Sequence, residues 1–135
     1  MTKPDDARIA AELVGAWRLV SWTIDYPASG RVTQPFGAAP EGLLLYSTDG
    51  QMSAALQRPG RARLSRADPH AVSDAEKATA FAGYLHYAGT WSVADGHVVH
   101  AVELAMNPNL IGTRQVRRVA LDGDRLELGA EERLE

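Results

Sequence analysis

The 135-residue chain contains no cysteine. That absence removes a disulfide framework, thiolate catalysis and any zinc site built on thiolates, and it fits a reducing compartment. Long hydrophobic runs are also missing. No stretch approaches the roughly 18 apolar residues of a membrane span, and the N-terminal MTKPDDARIAAELVG lacks the apolar core of a signal peptide. A cytoplasmic protein with no membrane association is expected. Basic charge is not in excess either. A net charge of −3 argues against nucleic acid, which needs a basic surface for counterion release. The one basic cluster, RPGRARLSR from Arg58 to Arg66, carries Pro59 and Gly60 but no aromatic residue, and it reads as a solvated loop in preference to a phosphate-binding patch. There is no G-x-S-x-G elbow and no glycine-rich phosphate cradle. The histidines at 70, 86, 97 and 100 include one near pair, His97 and His100, whose odd spacing puts them on opposite faces of a strand. Neither a metal nor a cofactor is expected.

What is present is ordinary globular composition, 45% hydrophobic and 23% charged, enough for one domain with one core. Residues 1–12 read as a flexible or helical leader and residues 13–135 as the domain. AWRLVSWTIDY reads as a long strand rich in aromatic and β-branched residues, followed by the turn PASGR and an irregular segment broken by Pro35 and Pro40. Asp-Gly pairs at Asp49-Gly50, Asp95-Gly96 and Asp122-Gly123 mark three hairpins. SDAEKATAFAGYLHY reads as the one inserted helix, with Ser73 and Glu76 as a capping box and Ala78, Phe81, Ala82 and Leu85 as its apolar stripe. About seven antiparallel strands joined by tight turns suggest a meander that closes into a barrel or folds into a sandwich, and closure removes exposed edges.

Gly15-x-Trp17 at the start of the first strand is similar to the G-x-W signature of the lipocalin and calycin barrels. Together with PFGAAPEGLLLYSTDGQMS, GYLHYAGTW, NPNLIGTRQVRR and LDGDRLEL, it resembles the bacterial lipocalin-like domain family over most of the chain, from about Leu13 to Leu128. The resemblance implies a mainly β fold, an antiparallel lipocalin-like up-and-down β-barrel with one inserted α-helix, in which Trp17 closes one end. Members usually continue past LEL with a further strand, and this chain ends in AEERLE, so closure by a single chain is left open.

With Trp17, Leu19 and Ser21 facing inward, Val20, Trp22 and Ile24 face outward and require an apolar cover: the helix at 74–86 or a second subunit. A homodimer is the expectation. In HVVHAVELAM, His100 shares a face with Val98, Val102, Leu104 and Met106, and on the next strand Gln115 and Arg117 share a face with Val119 and Leu121. A one-residue slip would put Arg118 inward instead. The candidate ligand-binding residues are His100, Gln115, Arg117, Tyr46, Tyr84, Tyr87, Trp17 and Met106. An arginine suits a carboxylate, phenolate or enolate, and a histidine orients a carbonyl or hydroxyl. The expected function is binding of a small, largely apolar molecule with an oxygen or acidic group. The alternative is a cofactor-independent cyclase or isomerase acting on a natural-product-like substrate in the same cavity, with His100 and Tyr84 as catalytic residues. The sequence leaves turnover open.

Overall fold

The computed structural model describes residues 4–130. Its elements are α1 (Pro4–Leu13), β1 (Gly15–Arg18), β2 (Ile24–Tyr26), β3 (Arg31–Thr33), β4 (Glu41–Tyr46), β5 (Gln51–Gln57), α2 (Asp74–Ala82), β6 (Tyr84–Ala94), β7 (His97–Ala105), a 3-10 turn (Pro108–Leu110), β8 (Arg114–Asp122) and β9 (Arg125–Gly129). Seven strands form one antiparallel sheet in the order β1-β4-β5-β6-β7-β8-β9, curled into a nearly closed barrel, while β2 and β3 form a separate hairpin. Among the described residues, no helix is long and apolar enough to cross a membrane.

Alternation explains the barrel wall. Leu44 and Tyr46 on β4, Met52, Ala54 and Leu56 on β5, Leu85 and Tyr87 on β6, and Val98 and Val102 on β7 all join one interior cluster. These positions are separated by two or four residues within each strand, as a pleated ribbon with one buried face requires.

Helix α1 lies against one end of this core. Leu13 is completely buried in the interior cluster, a burial that contributes roughly 2–3 kcal/mol. The Trp17 indole Nε1–H donates to the Leu13 carbonyl at 2.8 Å, engaging a carbonyl that the end of the helix leaves without an intrahelical partner. Asp6, also buried, accepts from the backbone N–H groups of Asp95 and Gly96, both at 2.9 Å. Those two residues form the β6–β7 turn with φ of 52° and 74°, the doubly left-handed backbone that an Asp-Gly pair accommodates.

Three parts of the fold depart from the sequence expectation. The expected long first strand stops at Arg18. The Leu19 N–H still bonds to the Gly42 carbonyl at 3.1 Å, but the chain then leaves the sheet, and Ile24–Tyr26 pairs with β3 alone. Trp22 packs edge-to-face on buried Phe36, ring centroids 5.1 Å apart, a contact within the chain that the alternation argument did not foresee. Val20, the neighbouring residue of that outward face, is 80% exposed.

The inserted helix is shorter than expected. The Ser73 side chain caps it by accepting from the Glu76 N–H at 3.2 Å, but it ends at Ala82 with Gly83 as its C-cap. Tyr84, Leu85, His86 and Tyr87 are strand residues paired with Gln57, Leu56, Ala55 and Ala54. The expected apolar stripe does not hold the helix down: no residue of α2 is buried and Phe81 is 52% exposed.

The third departure is a β-bulge. Ala88 pairs with Leu104 but Gly89 pairs with Val102, so Glu103 is an extra residue on β7. The sheet comes so close here that a Cβ on Gly89 would lie 1.9 Å from the Ala101 carbonyl oxygen. An extra residue reverses the in-and-out alternation beyond it. His100 and Val102 therefore keep their inward direction, whereas Leu104 is 67% exposed and Ala105 takes the inward position.

Candidate functional site

The interior holds a cavity of about 1130 Å³ that opens to solvent, large against the roughly 300–1,000 Å³ of common small-molecule sites. Its wall is mostly apolar. Leu44, Ala54 and Leu56 come from β4 and β5, Leu85 from β6, and Leu126 and Leu128 from β9, with Trp17 and Leu19 on the β1 side. The small side chain of Ala54 on β5 accounts for part of the space, standing where a larger aliphatic residue would fill it. At the mouth lie Asp122, Asp124 and Arg125 from the β8–β9 turn.

The polar centre consists of three residues from three strands. His100 is 1% exposed. Its Nε2 lies 2.6 Å from the Tyr46 hydroxyl and its Nδ1 lies 2.7 Å from the Tyr87 hydroxyl. Tyr46 is itself fixed by Trp91, whose ring centroid is 4.9 Å away and whose indole N–H donates to the Ser47 carbonyl at 3.0 Å. His100 and Tyr87 line the cavity, and Tyr46 backs them from the core.

Arg117 adds a positive charge to this wall. On β8 the odd positions Gln115, Arg117, Val119 and Leu121 are half-buried while Arg118 is exposed, so the inward residue is Arg117. Its guanidinium donates to Gln115 Oε1 and to the Val116 carbonyl, both at 3.1 Å, and Gln115 Nε2 donates to Thr113 Oγ1 at 2.8 Å. Gln115 thus lies beside the cavity as a support for Arg117, directly across the ladder from His100.

Burial sets the protonation of the centre. Removal from water, and secondarily the Arg117 charge, lowers the His100 pKa from 6.5 to about 4. Burial raises Tyr46 well above its ordinary value of 10.0; Tyr87 adds to the rise and Arg117 opposes it. At neutral pH the histidine is therefore an uncharged imidazole and Tyr46 an uncharged phenol. The positive charge of the centre is thus that of Arg117.

Of the eight residues proposed from sequence, Trp17, Tyr87, His100 and Arg117 line one cavity, and Tyr46 and Gln115 support it. Two do not belong. Tyr84 is on the opposite face of β6 from Tyr87, stacked on His86 with centroids 6.3 Å apart and covered by the Arg61 guanidinium at 5.2 Å. It cannot assist His100. Met106 follows the bulge, where the alternation has reversed, and does not line the cavity. Trp91 was missed, although it shares the inward parity of Leu85 and Tyr87; reading residues 84–87 as helix concealed that parity.

The basic cluster is partly structural. Arg58 Nη2 donates to the Pro35 carbonyl at 2.9 Å and Arg61 Nη2 to the Ala80 carbonyl at 3.0 Å. Among the described residues, no group of three histidine, cysteine, aspartate or glutamate side chains is placed to hold a metal ion.

A nearly closed antiparallel barrel, capped by a helix and tryptophan at one end and enclosing a ligand-sized cavity, defines the class as calycin-like. The chain belongs to the lipocalin-like domain family, which matches residues 14–134. It is also similar to the 4'-hydroxy-3'-methoxypropiophenone carrier protein ppsC of Aspergillus oryzae, 39% identical over 85 residues, covering 57% of this chain and 77% of that protein. No solved structure matches the chain at a significant level.

Proposed function

We propose that this protein binds a small, largely apolar molecule bearing an oxygen or acidic group, held inside the barrel. The observation that carries this reading is the coexistence of an open, mostly aliphatic cavity of about 1130 Å³ with a buried, hydrogen-bonded Tyr46–His100–Tyr87 chain and an inward arginine. Apolar walls supply affinity by burying the guest, and the few polar groups orient it. The relative named as a carrier of a substituted propiophenone supports a cargo with an apolar skeleton and polar oxygens.

A second reading, a cofactor-independent cyclase or isomerase in the same cavity, draws on one feature: the three-membered hydrogen-bonded chain of titratable groups that ends at the cavity wall. One experiment addresses both. The protein is incubated with 4'-hydroxy-3'-methoxypropiophenone, binding is followed by calorimetry and tryptophan fluorescence, and the recovered compound is weighed by mass spectrometry and chromatographed. Saturable binding with a negative heat-capacity change and unchanged compound supports the binder. An isomer of equal mass, formed only with protein, supports the enzyme. Absence of binding across this and related aryl ketones and phenols overturns both.

A further inference from the structure

The charged side chains lining the cavity balance one another. Among the described residues, Arg18, Arg117 and Arg125 are matched there by Asp122, Asp124 and Glu127, so the lining offers an entering anion no net positive charge. Arg18 and Arg125 are exposed, which leaves Arg117 as the inward cation. An inward arginine by itself suits an anionic guest. This guanidinium, however, already donates to Gln115 Oε1 and to the Val116 carbonyl, both at 3.1 Å, and Gln115 is held in turn by Thr113 Oγ1 at 2.8 Å. A carboxylate or phenolate would have to draw Arg117 away from these partners to form a charge-assisted pair. Meanwhile the surrounding wall of Leu44, Leu56, Leu85, Leu126 and Leu128 strips the anion of water. The chain carries its own phenol at this centre: Tyr46, whose hydroxyl lies 2.6 Å from His100 Nε2 behind the cavity wall. Burial, and after it Tyr87, raises the Tyr46 pKa, and the opposing Arg117 charge does not cancel the rise. Loss of water outweighs the arginine at that position.

Resting on the reading that this cavity holds a small ligand, we infer that the cavity selects its guest by charge: it takes oxygen-bearing molecules in their uncharged form, ketones and protonated phenols, and rejects carboxylates and phenolates. Arg117 is then a residue tied into the wall through Gln115, not the counter-ion of a bound acid. The balanced charges of the lining keep an anion from gaining at the mouth what it loses in the interior. A guest that carries a weakly acidic group enters with its proton on.

The test measures the affinity of the native protein for three probes by calorimetry. They are 4'-hydroxy-3'-methoxypropiophenone, its phenol methyl ether, which has no ionisable proton, and the benzoate in which a carboxylate replaces the propionyl group. At a pH where the benzoate is ionised and the phenol is not, the benzoate is expected to bind more weakly than the ketone by about tenfold or more. The pH is then raised past the phenol's own pKa, read from the absorbance of the free compound. The affinity of the phenol relative to the ether is expected to fall, approaching about tenfold per pH unit, as linkage requires when only the protonated form binds. Taking the ratio to the ether removes any titration of the protein itself, at His100, Tyr46, Tyr87 or the charged residues of the mouth. A benzoate affinity within about tenfold of the ketone's, or a phenol-to-ether ratio that stays level or rises, overturns the inference and leaves the ligand reading standing. If none of the three compounds binds, the ligand reading fails for this class and the inference falls with it.

Discussion

Asp6 and Gly96 are ninety positions apart in sequence and joined by a hydrogen bond of 2.9 Å, the carboxylate of the first helix accepting from the turn between β6 and β7. With the parallel bond from Asp95 at 2.9 Å, this buried side chain fastens the helix to the far end of the hairpin that carries both Tyr87 and His100. Asp6→Ala should therefore destabilise the fold by about 2–4 kcal/mol, the range for two charge-assisted bonds lost from a buried site. Urea titration against the native protein measures it; a change within about 0.5 kcal/mol would show that α1 docks without this clamp.

Acid should weaken the protein through His100. Its pKa is about 4 in the fold and 6.5 when exposed, so between those values the unfolded chain binds the extra proton. Stability contributed by the neutral ring is thus complete above about pH 6.5 and declines as pH falls toward 4, by ~3 kcal/mol in all. Denaturation of the native protein and of His100→Gln at several pH values between 7 and 4 isolates this contribution, and the variant should show a shallower slope. Equal slopes would mean that other groups govern the acid limb.

Arg117 opposes the imidazolium form, but burial is the larger cause of the His100 depression. Arg117→Met is accordingly expected to raise the His100 pKa without returning it to 6.5. A proton-resonance titration of the ring reads this shift. An unchanged midpoint would show that the guanidinium charge does not reach the ring.

His100→Ala removes the shared partner of two tyrosine hydroxyls and opens space in the core. A cost of roughly 2–5 kcal/mol is expected from the cavity and the unmet hydroxyls together. The variant is predicted to melt well below the native protein even before ligand is added, and a native-like melting temperature would indicate that water replaces the ring at little cost.

Gly89→Ala should be among the most damaging single changes. Its Cβ would lie 1.9 Å from the Ala101 carbonyl oxygen, and because that atom belongs to the backbone, relief requires the bulge to be rebuilt. Loss of about 3 kcal/mol or more, or failure to accumulate folded protein, is the expected outcome. Circular dichroism and thermal melting of the purified variant decide it.

Features written into a few neighbouring residues were legible in the sequence. The hairpin turns at Asp49-Gly50 and Asp95-Gly96, the Ser73 cap and the inward direction of Trp17 depend on local turn chemistry, capping and alternation, and the family signature added the barrel. What escaped depends on contacts between distant segments. The bulge opposite Gly89 arises from close approach of β6 and β7, so Leu104 and Met106 were carried to the wrong face by an alternation that was correct up to Val102. The strand identity of residues 84–87 comes from pairing with β5, which overrides a local pattern that also suits a helix. The candidate site was legible as separate residues and illegible as a unit: Tyr46 and His100 lie 54 positions apart, and no spacing rule announces that they meet.

The seam between β1 and β9 gives the barrel one further property. These two strands are the ends of the sheet order and share no backbone ladder. Among the described residues, parting them to widen the mouth breaks no ladder hydrogen bond along that line, so on the proposed function the resistance to an entering guest would fall to side chains such as Trp17, Leu126 and Leu128. On the proposed binding function, exchange of a guest would follow side-chain rearrangement in place of strand unzipping, and a guest somewhat longer than the cavity would have room to project through the seam.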